Sequence, residues 1–307
     1  MRPEDEAQQV RESWYVAPKP PVPKHWLVFS RDFVLRVLQG SYSPHEPPHQ
    51  TMPWRIVALV VRGIMGVVQA VLMFLSVIPL VGGLIGFLAV HLGRGVAGYF
   101  VRSCYWKTKL QYLGQDTLIE AGLELWGARS IRIGSCCHVD SHVRLRAGEG
   151  RYGQHGGVSI GDYSHIGPRC LVSGRGSVEI GAFVALQAGV HVYSATNTLV
   201  HPEDPGQLIG MSHAAPRGFQ HIVEAPVVIG DYAVVGFGSL ILPGASVGLG
   251  AVVHPHTQVV AQYPPFANIT GPGRAKQSGW RRPPRRSPKL TEGDAGQESP
   301  KGPDTDD

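Results

Sequence analysis

Charge is scarce in this chain. Of its 307 residues 17% are charged, 28 lysines and arginines against 23 aspartates and glutamates, for a net charge of +5. That excess is too small to argue for a nucleic-acid partner, and none is expected; it suits an anionic ligand or an anionic membrane surface. Cysteine is equally sparse: Cys104, Cys136, Cys137 and Cys170, with no C-x-x-C pair. An adjacent pair is no zinc signature, so no metal is expected, and small buried thiols in a reducing compartment are the reading. The hydrophobic share of 43% excludes a chain disordered throughout.

Charge is most conspicuously missing between Ile56 and Gly93, where Arg62 is the only fully charged residue. As helix, the part from Gly63 to Leu92 would span roughly 45 Å, against about 30 Å of bilayer hydrocarbon. It lies too far from Met1, and is too long, for a signal peptide. Pro79, Gly82 and Gly83 interrupt it, leaving either one kinked span or a two-legged hairpin. Basic residues flank both ends, which favours cytoplasmic flanks and hence the hairpin. The expected localisation is a membrane with the main domain on the cytoplasmic side, and membrane lipid is an expected partner.

The chain divides by texture. Residues 1–23 read as a flexible proline-rich tail, 24–54 as an amphipathic interfacial segment or an ordinary packed helix, 55–103 as the membrane-embedded helix or hairpin, and 104–117 as a linker. From 118 to 263 short aliphatics, glycines and turns take over; 264–277 closes that domain, and 278–307 reads as a disordered tail.

What the chain has in abundance is glycine, 39 residues, and a period of six. Aliphatic residues recur as Ile133, Val139, Leu145; Ile160, Ile166, Val172; Ile180, Leu186, Val192; and then, uninterrupted, Ile229, Val235, Ile241, Val247, Val253, Val259. Glycine follows the anchor at 134, 161, 167, 181, 230, 236 and 248. Four places after the anchor stands a small or β-branched residue, from Cys137 and Val143 through Thr196 to Ala251 and Thr257. A helix repeats near 3.6 and an exposed strand at 2, so six means one short strand plus one turn. Three units close a triangular coil of about 18 residues, with each anchor stacked on that of the next coil.

Tandem hexads of this form resemble the left-handed parallel β-helix of the hexapeptide-repeat acyltransferases. The stretch 180–277 is similar to acetyltransferases of the galactoside, maltose and xenobiotic type. The likeness is carried by VIGDYAVVGFGSLILPGASVGLGAVV (228–253), the closing YPPFANITGPGRAK (263–276), and VYSATN (192–197), which opens an insertion over 193–226. The resemblance implies transfer of an acetyl group from acetyl-CoA to a sugar hydroxyl, with a sugar amine or an antibiotic as lesser options. The acceptor would be a membrane-associated glycan precursor, and the active site would lie between subunits of a homotrimer. It also implies a cofactor groove at Gly236, Gly238 and Ala251, with Arg274 and Lys276 meeting phosphates. Galactoside-type members place a catalytic histidine where this chain has Asn197. The insertion offers His213, His201 beside Glu203 and Asp204, and His221. His213 or His201 is the expected base, with Asn197 on the acceptor.

Two other classes fit parts of the pattern. His138, His165 and His191 each stand in the last place of a hexad and would face outward. As a trio they would suit the zinc of carbonic anhydrases built on the same helix. A membrane-tethered scaffold without catalysis is the other.

Overall fold

The computed structural model describes residues 26–38, 52–93, 95–148, 156–198, 203–204, 209–210, 212, 214–216, 219–271 and 276–280. All of them fall in one compact unit, Ala17–Arg281. The tails at 1–23 and beyond 280 lie outside the described residues.

The main body is a parallel β-helix of three sheets. One sheet stacks Tyr112–Leu113, Ile131–Ile133, Val158–Ile160, Val178–Ile180, Val227–Ile229, Ser246–Val247 and Gln262–Tyr263. The second stacks Leu118–Ile119, His138–Val139, His165–Ile166, Ala185–Leu186, Val234–Val235, Val252–Val253 and Ala267–Thr270. The third runs from Glu124–Trp126 through Arg144–Ala147, Leu171–Gly174, His191–Tyr193 and Leu240–Ile241 to Gln258–Val259. Every anchor read from the period falls in one of three columns. The first is Ile133, Ile160, Ile180, Ile229, Val247; the second Val139, Ile166, Leu186, Val235, Val253; the third Leu145, Val172, Val192, Ile241, Val259. None is more than 2% exposed. Each such side chain taken from water contributes about 1.5–3 kcal/mol, and the stack forms one continuous core.

The corners explain the remaining signals. A Cβ on Gly134 would stand 2.6 Å from Asp162 Oδ1 and 2.7 Å from its backbone nitrogen, because successive coils nearly touch there. The aspartates of the two Ile-Gly-Asp-Tyr runs bind the neighbouring coil: Asp162 accepts from Ser135 N–H at 2.7 Å and Asp231 from Ala182 N–H at 2.7 Å. The next residue takes a left-handed conformation, and Tyr163, Phe183 and Tyr232 at that place stack face to face at 4.9 and 4.8 Å. The small residues expected at the corners are buried, with one correction. Thr196 is exposed and belongs to the insertion, since the chain has already left the coil at Ser194.

The domain ends also differ from the expected ones. The coil begins at Tyr112, so 104–117 is the end of a helix and the first strand rather than a linker. Leu113, Ile119 and Leu125 carry the period of six one coil further back. At the other end, 264–277 is not a simple turn. Lys276–Trp280 folds back antiparallel on Ala267–Thr270 with a bulge between Asn268 and Ile269, and takes in residues expected in the tail.

Among the described residues four helices precede the coil: α1 (Arg31–Leu38), α2 (Met52–Ser76), α3 (Pro79–His91) and α4 (Val96–Lys109). The uncharged run is a hairpin, α2 and α3, turning at Val77–Ile78. Pro79 opens α3 in its first turn, where a missing N–H costs nothing. Gly82 lies directly against the Ser76 carbonyl, which no side chain at that place would permit. Neither leg stands free. Ala58, Gly66, Gln69 and Ser76 bury one stripe along α2, and Gly82, Ile85, Gly86 and Ala89 one stripe along α3. Gln69 accepts from Val28 N–H and donates to the Trp26 carbonyl, both at 2.9 Å. Lys109 donates to the Ser76 carbonyl at 3.1 Å, and Gly122 N–H to the Val90 carbonyl at 3.0 Å. Arg102, fully buried, donates from Nε to the Ile119 carbonyl at 2.5 Å and from Nη1 to the Leu92 carbonyl at 2.6 Å. The hairpin is therefore packed on one side against α1, α4 and the segment before α1, and touches the first coil through Val90. Its outer face is a sheet of aliphatics and aromatics: Leu59, Ile64, Val67, Phe74, Leu80, Leu84 and Phe87 are each about 60% exposed or more.

Candidate functional site

After Tyr193 the chain leaves the coil for a long excursion and returns at Val227. Ser194 clamps the exit. Its hydroxyl donates to the Ser173 carbonyl at 2.8 Å and accepts from Gly176 N–H at 2.8 Å, while its carbonyl accepts from Ala225 N–H at 3.0 Å. The stem is a two-stranded ribbon, Ala195–Asn197 against Ile222–Glu224, with Asn197 opposite Ile222. Thr198 N–H donates to the His221 carbonyl at 3.0 Å and prolongs it. The Arg175 guanidinium pairs with the Glu224 carboxylate across the base of the stem. Beside that pair an open cleft of about 270 Å³ is lined by Gly156, Ser177 and Pro226 among others.

The excursion therefore has a rigid root and carries Asn197 at the far end of its stem, with His221 one place from Asn197's cross-strand partner. His201 and His213, the expected bases, lie outside the described residues, as does Arg274. Of the expected cofactor residues, Gly236 and Lys276 share a face. Gly236, His254 and Thr270 each follow an anchor of the second sheet, and Lys276 pairs with Thr270. At about 4.8 Å per strand, the row from Gly236 to Lys276 is about 14 Å long. Gly236 cannot carry a side chain there, since a Cβ would stand 2.5 Å from Pro255 N. Gly238 stands at the next corner with φ +65°, where a Cβ would meet the His256 ring at 2.6 Å. Both glycines thus have a folding reason of their own. Ala251 is fully buried inside a corner, so its methyl group faces the core and not a groove.

The histidine trio does not assemble. His138 and His165 face each other on adjacent coils of the second sheet, but His191 stands on the third, paired with Leu171 and Leu240. In its place the structure brings Asp140 to the two histidines, and Asp140 was not singled out in the sequence. His165 Nε2 and Asp140 Oδ2 are hydrogen-bonded at 2.9 Å, and His138 Nε2 lies 3.3 Å from Asp140 Oδ1. The period of two could have found it, since residues 138 and 140 flank the inward Val139.

Cys104, Cys137 and Cys170 are buried and Cys136 is half-buried. Cys104 and Cys137 are pushed up to about 12, and Cys136 and Cys170 to about 11, in each case mainly by desolvation of the thiolate. All four are free thiols.

Comparison with known proteins places this coil of parallel hexads among transferases. No family model matches the chain. Nodulation protein L of Rhizobium meliloti (strain 1021) is 30% identical over 181 residues, which are 54% of this chain and 92% of that protein. The dTDP-4-amino-4,6-dideoxy-D-glucose acyltransferase of Escherichia coli is 27% identical over 152 residues, 46% of this chain and 70% of that protein. Among solved structures, AntD, an N-acyltransferase from Bacillus cereus in complex with dTDP and 3-hydroxybutyryl-CoA, superposes with a TM-score of 0.50 at 21% identity. It covers 57% of this chain and 86% of AntD, and shows the same fold. The chain belongs to the hexapeptide-repeat acyltransferase family.

Proposed function

We propose that the protein transfers an acetyl group from acetyl-CoA to a sugar hydroxyl on a membrane-associated glycan precursor. The observation that carries this reading is the rooted excursion, 194–226, on the coil of a chain of this family. An acceptor held under that loop would be out of bulk water, and its attacking oxygen would lose a proton to His213 or His201. The pantetheine arm would follow the outer row from Gly236 towards Lys276, with Arg274 and Lys276 on the phosphates. A left-handed coil and a homotrimer, in which a neighbour closes the site, complete the proposal. A sugar amine is the second reading, favoured by the E. coli relative, whose named substrate is an amino sugar.

The membrane part of the proposal rests on the outer face of the hairpin. α2, at 25 residues, is about 37 Å long and could cross a bilayer by length, but α3, at 13, is about 20 Å. The hairpin is packed on one side against α1, α4 and the segment before α1, so a vertical leg would drag polar parts of the body into hydrocarbon. The hairpin instead lies flat in the interface, its apolar face in the lipid and the coil on the cytoplasmic side.

Calorimetry of coenzyme A binding at low salt tests the cofactor side. Arg274→Glu with Lys276→Glu should weaken binding about 10-fold or more with unchanged melting, since charge reversal adds repulsion to lost attraction. Unchanged affinity would remove the pair from the site.

A further inference from the structure

We propose that His138, Asp140 and His165 bind one divalent transition-metal ion, zinc by ligand chemistry, on the outer face of the second and third coils. The three offer two imidazole Nε2 atoms and a carboxylate, all within 4.8 Å of one another. Parallel pairing fixes the arrangement. His138 and His165 are directly opposed across neighbouring strands, with ring centroids 5.5 Å apart, and Asp140 projects from the same side as His138 two residues on.

The distances are those of ligands around an ion. Zinc holds nitrogen and oxygen at about 2.0–2.1 Å, which puts neighbouring tetrahedral ligands about 3.3 Å apart. His138 Nε2 and Asp140 Oδ1 are 3.3 Å apart, and His165 Nε2 and Asp140 Oδ2 2.9 Å. His138 Nε2 is buried as an atom and makes no hydrogen bond, so the cluster without an ion leaves a polar atom unserved. Both histidine side chains are nevertheless 42% exposed, so an ion can enter and a fourth position faces solvent. Glu120 stands behind the cluster. Its Oε1 lies 3.7 Å from His138 Nε2, its side chain is 5% exposed, and the Tyr99 hydroxyl donates to it at 2.6 Å. Such outer partners orient ligands and favour a cation.

This site is separate from the acyl-transfer reading: it occupies the coils before the excursion, and its test measures metal. Full-length protein stripped with a chelator is titrated with zinc against a competing indicator, then desalted and analysed for metal. About one ion per chain is expected, with a rise in melting temperature at excess zinc. Asp140→Asn and His165→Gln should each lower affinity by about 100-fold or more, because even outer-shell partners are worth 10–100-fold. Metal-free melting should stay as in wild type, since these side chains face outward. His191→Ala, on another sheet, should change nothing. Cobalt(II) should give a visible absorption band that His165→Gln abolishes. Less than about a tenth of an ion per chain, or undiminished affinity in a His138→Ala/His165→Ala variant, would overturn the proposal.

Discussion

Ile180→Ala, with Glu179→Ala beside it, puts the coil to its most local test. The two residues are neighbours in the strand Val178–Ile180, yet Ile180 is 1% exposed and Glu179 faces solvent. Ile180 stands between Ile160 below and Ile229 above, at 2% and 0% exposure. Removing its outer carbons forfeits transfer energy and opens a cavity between side chains whose backbones are locked by coil hydrogen bonds. Collapse should be poor, and the cost should sit in the middle or upper part of the usual range, about 3–5 kcal/mol. Glu179→Ala touches no packed group and should stay within about 0.5 kcal/mol. Urea unfolding followed by far-ultraviolet circular dichroism reads both. Equal losses, or a larger loss at Glu179, would refute the register, because a slip of one residue exchanges the two faces of every strand.

Other consequences follow from burial and from the loop. At pH 7.5 a thiol held near 11 is ionised in about one molecule in three thousand, so none of the four cysteines should react with a disulfide reagent within minutes until urea is added; rapid native labelling would contradict the packing. Burial raises the Asp116 carboxyl above its ordinary range despite the Ser30 N–H that it accepts at 2.6 Å. The folded state then holds the proton more tightly than the unfolded one, so this group's contribution is fully present below the unfolded value near 3.9 and is lost as pH rises through the raised value. Asp116→Asn should therefore match wild type in acid and melt higher at neutral pH; a lower melting temperature at pH 7 would refute this. His213→Ala, or failing that His201→Ala, should lower turnover about 100-fold with little change in coenzyme A affinity, and full turnover in both would exclude a base at either place.

Much of the coil was legible because a six-residue period has one physical cause, and all fifteen anchors sit where the period puts them. The first coil is harder to read because eight residues rather than six separate Leu125 from Ile133, although Leu113, Ile119 and Leu125 keep the spacing among themselves and Gly114 follows the first of them. The side of the coil on which a residue falls needs one further step of counting. His138 and His165 precede the second anchor of their runs, His191 the third, and that separates them by a corner. The cofactor glycines illustrate the opposite limit. Gly236 and Gly238 are required by close coil approach and by a left-handed corner, so their presence carries no information about a ligand. That one side of the hairpin is covered by other helices could not be read from hydropathy, which reports length and polarity but not the buried stripe Ala58, Gly66, Gln69, Ser76.

The central claim is acyl transfer from coenzyme A to a sugar, and a single assay addresses it. Purified full-length protein in lipid vesicles is given acetyl-CoA with a panel of sugar acceptors, and thiol release is followed together with product mass. Acceptor-dependent release of coenzyme A, with a base-labile acetyl ester on a sugar hydroxyl, is the predicted result. An amide on a sugar amine would uphold the transferase and select the second reading. No acceptor-dependent release from any sugar, in protein that is folded and binds no coenzyme A, would contradict the account.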